Sequence, residues 1–120
     1  MCQTLKSLTR QVSAILPANK YAYVADAEAG IRVIDISDPS RPHETGFCDT
    51  PGRAFAVYVV GDRAYVADDW KGICVVDISD PTSPVKLRSL NTPGQAHGLN
   101  VAGELIYVAD AWAGLSILKL

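Results

Sequence analysis

Sliding the chain along itself by 42 residues brings it into register with itself, and no other feature limits its possible folds as sharply. AYVADAEAGIRVIDISDPSRP at 22–42 falls on AYVADDWKGICVVDISDPTSP at 64–84, and IYVADAWAGLSILKL at 106–120 falls on the start of both. Residues 22–63 match 64–105 at 20 of 42 positions without a gap. What recurs is turn chemistry and apolar strand positions: Tyr23, Tyr65 and Tyr107; Gly30, Gly72 and Gly114; Thr50-Pro51-Gly52 and Thr92-Pro93-Gly94. A period of about 40–45 residues made of short β-rich runs is that of a four-stranded propeller blade.

Breakers place the strands within one unit. FAVYVV at 55–60 ends at Gly61-Asp62 and reads as the innermost strand, RAYVAD at 63–68 as the second and ICVVDI at 73–78 as the third. Ser79-Asp80-Pro81 cannot continue a ladder, so VKLRSL at 85–90 is the outermost strand. The inner runs are almost continuously apolar, as strands covered on both faces should be. No long stretch carries helical apolar spacing without Gly or Pro.

Shifting by two periods sets Met1 opposite Val85, Gln11 opposite Gln95, Ser13 opposite His97 and Ile15 opposite Leu99. The expected organisation is one all-β repeat domain over 1–120: an outer strand at about 2–8, blades at about 12–48 and 55–90, and a partial blade at about 96–120. Three periods of 42 would need 126 residues against the 120 present, so the cut falls in the turn before an outer strand. That leaves an unpaired edge on the last blade, and edges seek partners. Three blades fall below the usual range of about four to eight per ring. Closure by self-association through strand exchange is therefore expected, with a six-bladed homodimer favoured and a nine-bladed trimer as the alternative.

Composition narrows the partners. The net charge is −2, from 11 basic and 13 acidic residues spread along the chain, which provides no footprint for nucleic acid or anionic membrane. Neither a signal sequence nor a membrane span is present, so the chain as written is expected in the cytoplasm; a secreted or cell-surface parent would look the same if its signal preceded Met1. Cys2, Cys48 and Cys74 form no CxxC pair and have two histidines as possible co-ligands, which fits packing residues better than a zinc site or disulfide.

YVADxxxGIxVIDISDPxxP and TPGxAxxVxVxG resemble the LVIVD-repeat family over about residues 14–120. The resemblance implies a β-propeller with a binding or scaffolding role, and it brings no catalytic motif. Family members usually carry enough repeats in one chain to close a ring, and this chain is shorter than that.

Candidate ligand residues lie where the repeats diverge, in the loops leading into the innermost strands and those between second and third strands. They are Arg53, Phe55, Gln95 and His97 in the first set, with Trp70 and Trp112 in the second. Each has a plainer reading: the tryptophans pack over a neighbouring blade, Arg53 is a solvated charge and His97 faces water. A metal at His97 would draw on Asp68 and Asp110, and the expectation is that there is none. Asp26, Asp68 and Asp110 recur in every unit, which argues for turn carboxylates accepting N–H groups of the following loop, as do Asp35 and Asp77 in the IDISDP and VDISDP turns.

GxSxG, HExxH and phosphate-cradling glycine loops are all absent. The function expected is a non-enzymatic interaction scaffold, without cofactor, that binds a protein, peptide or glycan at the channel mouth. Two alternatives stand beside it: a hydrolase or lyase using His97, Arg53 and Asp68 between subunits, and a propeller fragment or assembly unit without a selected ligand.

Overall fold

Each sheet begins with a tight turn whose first residue is left-handed: Asn19, Gly61 and Gly103, at φ +57°, +57° and +59°. Asn and Gly adopt this conformation most readily, so the innermost strand of each unit folds straight back onto the second. The computed structural model describes residues 14–120, and side chains from residue 17. The outer strand expected at about 2–8 lies outside the described residues.

The first sheet contains β1 (Ala14–Ala18), β2 (Tyr21–Ala25), β3 (Ile31–Asp35) and β4 (His43–Cys48). The second contains β5 (Ala56–Val60), β6 (Arg63–Ala67), β7 (Ile73–Asp77) and β8 (Val85–Leu90), and the third β9 (Gly98–Ala102), β10 (Leu105–Ala109) and β11 (Leu115–Lys119). All pairings are antiparallel between sequence neighbours, giving sheets of four, four and three strands. The outer strands carry a register shift at equivalent places, between Val33 and Ile34 and between Val75 and Val76. A single 3-10 turn, Ala111–Ala113, is the only helical element among the described residues.

The innermost strands β1, β5 and β9 lie side by side, so the sheets stack face to face as a propeller-like array. Alternation along the strands divides each sheet into a leading and a trailing face. Ala64, Val66, Cys74 and Val76 on the leading face of the second sheet pack against Tyr23, Ala25, Ile31 and Val33 of the first. Tyr65, Ala67, Ile73 and Val75 on its trailing face pack against Ala96, Val101, Ile106 and Val108 of the third. Two covered faces explain the continuous apolar runs of β6 and β7. β8 is largely exposed, as the outermost strand should be.

The third sheet departs from this pattern on its trailing face. Leu115 and Ile117 are 65% and 54% exposed, whereas their counterparts Ile73 and Val75 are 0% and 1% exposed. An open hollow on this face is lined by Asn100, Tyr107, Ala109 and Leu115.

Candidate functional site

The recurring Asp and the Thr-Pro-Gly motif meet in space. Asp68 accepts the Thr50 hydroxyl at 2.7 Å on one carboxylate oxygen and the Gly52 amide at 2.9 Å on the other. Asp110 does the same with Thr92 at 2.7 Å and Gly94 at 3.0 Å. The donors come from the loop before the innermost strand, not from the following loop as the sequence reading expected. The reason is topological: that loop arrives beside the end of the second strand, where a buried carboxylate can take both its donors. Glycine is required because a Cβ on Gly52 or Gly94 would overlap the carbonyl oxygen of Asp68 or Asp110. Asp35 and Asp77 behave as local turn carboxylates, each accepting the amide of the serine two residues on, Ser37 at 2.9 Å and Ser79 at 2.8 Å.

Burial pushes the Asp68 carboxyl up despite the donors from Thr50 and Gly52. Burial acts on Asp110 too, but donors from Thr92, Ser116 and Gly94 together hold it below the ordinary aspartate value. Burial also raises both described thiols, Cys48 and Cys74, the latter to about 12, which suits packing rather than nucleophilic residues.

Above this frame the divergent residues form one contact line across the blades. Arg53 reaches Glu28 of the first blade at 3.4 Å, and its guanidinium stands 5.9 Å from the Phe55 ring centre. Phe55 meets the His97 ring edge-on with centroids 4.8 Å apart. His97 Nε2 lies 3.5 Å from Asp69 Oδ1, which also accepts Gln95 Nε2 at 3.0 Å. Four of the six residues expected at the mouth, Arg53, Phe55, Gln95 and His97, are thus brought together. The carboxylate beside His97 is Asp69, where the sequence reading had looked to Asp68 and Asp110. Among the described residues, no group of three or more His, Cys, Asp or Glu is placed to hold a metal.

Backbone bridges fix the line in place. Ala27 pairs with Ala54 and Asp69 with Ala96, each linking a second-to-third-strand turn to the following blade's lead-in loop. Ala27, Asp69 and Ala111 are left-handed, at φ +46°, +57° and +52°. Trp70 and Trp112 follow these residues and project outward, 62% and 73% exposed. Packing over the following blade, the plainer reading, does not hold for Trp70, and no further sheet of the described chain follows Trp112. Asp69 is the hub that sequence reasoning passed over; its signal was a carboxylate where the other two units have Ala27 and Ala111.

The LVIVD repeat model matches the chain three times, over residues 10–50, 51–92 and 93–118. The chain belongs to the LVIVD-repeat family. The second and third LVIVD units start within the lead-in loops, at residues 51 and 93, and the first spans β1 to β4, so the sequence units coincide with the three sheets. A comparison with curated proteins finds no match. The array is similar to the crystal structure of the computationally designed Ika4 protein, with TM-score 0.72, 12% identity, and 91% of this chain on 66% of that one. It is also similar to the computationally designed Ika8 protein, with TM-score 0.72, 12% identity, and 90% of this chain on 33% of that one. The LVIVD chain thus spans about two thirds and one third of these two designed structures, whose likeness is one of fold.

Proposed function

We propose that this LVIVD-repeat chain is a non-enzymatic recognition scaffold, without cofactor, whose copies associate into a closed ring and whose mouth binds a protein, peptide or glycan. Two copies give the six-bladed ring favoured here, and three give a nine-bladed one. The observation that carries the reading is the contact line from Glu28 through Arg53, Phe55 and His97 to Asp69, flanked by two exposed indoles. It is built of residues that differ between units whose frame is the same, which is how a rigid repeat varies its specificity. Stacking faces, an amide and both charge signs suit sugar rings or peptide side chains.

Peptide and glycan arrays probed with the chain and its Trp70→Ala/Trp112→Ala variant test this. Discrete array hits that disappear in the variant, with circular dichroism unchanged, support the scaffold; identical hits for both proteins, or none for either, count against the mouth as its binding surface. The second reading, a hydrolase or lyase, draws on the approach of His97 to Asp69. Turnover abolished by His97→Ala with the oligomer intact would put it in place of the scaffold.

A further inference from the structure

We infer that the trailing side of the third sheet is a composite docking site, an apolar face plus an open strand edge, and that its occupant is a second copy of this chain seated as the next blade. The inference rests on the self-association reading and specifies the surface that performs it.

Repeat equivalence carries the argument. The trailing face of the first sheet is covered by the second, and that of the second by the third. The trailing face of the third has the same chemistry, with Tyr107 for Tyr65, Ala109 for Ala67, Leu115 for Ile73 and Ile117 for Val75, and no further sheet of the described chain covers it. Apolar side chains gathered on one face and left exposed or half-buried there, as Leu115, Ile117 and Tyr107 are, mark an interaction surface where scattered ones do not.

The edge shows the same gap. A Cβ on Gly30 would strike the Cys48 carbonyl and one on Gly72 the Leu90 carbonyl, because an outer strand runs past each. Gly114, at the same place, has nothing within 4 Å among the described residues, where β11 pairs with β10 alone. Among the described residues the backbone cradle for a fourth strand is therefore built and empty of neighbours, and open edges of this kind accept strands.

A copy of the chain fits for a reason of register. The residues that cover the trailing faces internally are Ala64, Val66 and Val76, then Ile106, Val108 and Leu118. At those three positions the first sheet carries Ala22, Val24 and Ile34, which cluster with Ile36 and are already buried in the single chain, so seating a partner against this face exchanges one cover for another. A partner with this repeat spacing matches the pleat, the twist and the side-chain volumes that the two internal junctions use.

The test compares the full chain, Leu115→Arg/Ile117→Lys, and Val85→Lys as a control at an exposed position on β8 of the middle sheet, by light scattering at matched concentrations with circular dichroism as a check on folding. The expected result is a multimer for the wild type and control and a folded monomer for the double variant. A multimer in all three overturns the docking site while leaving self-association standing. A wild-type monomer at high micromolar concentration overturns both. Small-angle scattering of the multimer then separates a flat disc, which supports seating as the next blade, from an elongated stack of two trailing faces, which overturns it.

Discussion

Asp68 and Asp110 hold equivalent places in successive blades and accept equivalent Thr and Gly donors, yet their carboxyls are displaced in opposite directions. Burial weighs more heavily on Asp68, which also has Asp69 beside it where the third blade has Ala111, and a further difference lies in the third strand. Where the second blade has buried Cys74, the third has Ser116, whose hydroxyl reaches Asp110 at 2.8 Å and supplies a third donor. A lowered carboxyl contributes stability that is present above the ordinary aspartate value and lost as pH falls through the lowered one. Asp68 has the opposite sign: its contribution is present below the ordinary value and lost as pH rises through the raised one.

Ser116→Ala should remove that third donor and raise the Asp110 titration midpoint, with Asp68 unchanged. The expected loss of stability is about 1.5–3 kcal/mol, as for a hydrogen bond to a charged group. Carboxyl carbon shifts followed by NMR against pH, together with urea melts, read both quantities.

Gly52→Ala should destabilise the fold by about 1–3 kcal/mol, since the methyl has to displace the Asp68 carbonyl beside it. Gly61→Asn is the matched control. Gly61 is left-handed with open space around its Cβ position, and Asn tolerates that conformation, so its melting temperature should stay near wild type.

Trp70→Ala and Trp112→Ala should each change stability by less than about 0.5 kcal/mol, because neither indole is buried. Denaturant melts check this, and they separate a surface role from packing across a blade junction.

Asp35 and Asp77 are both held below the ordinary value of 3.8, Asp35 by the Ser37 hydroxyl and amide and Asp77 by the Ser79 amide and hydroxyl. Their contribution is present above 3.8 and disappears on acidification. The Asp35→Asn/Asp77→Asn variant should therefore melt below wild type at neutral pH, and the two curves should converge as pH falls beneath the aspartate range. Melting temperature followed across pH reads the sign.

Strand positions were legible because breakers recur every 42 residues and period-two alternation decides which face each side chain takes. The innermost strand β5, expected at 55–60, runs over 56–60, and β7, expected at 73–78, runs over 73–77. The donors to Asp68 and Asp110 were not legible. Thr50 and Asp68 are 18 residues apart, and only the meeting of the lead-in loop with the end of the second strand joins them. Recurrence marked both residues without saying that they belong to each other. For Trp70 the sequence favoured a junction over a surface, and its exposure follows instead from the left-handed turn at Asp69 that lifts the next residue off the blade. Asp69 drew no notice as a hub because its role comes from Gln95 and His97 in the following blade.

Amide hydrogen exchange along β11, measured above and below the concentration at which the chain associates, tests most directly whether another molecule completes the last sheet. The account predicts that β11 becomes protected toward the level of β7 only in the associated state. Equal exchange of β11 amides in both states would contradict it.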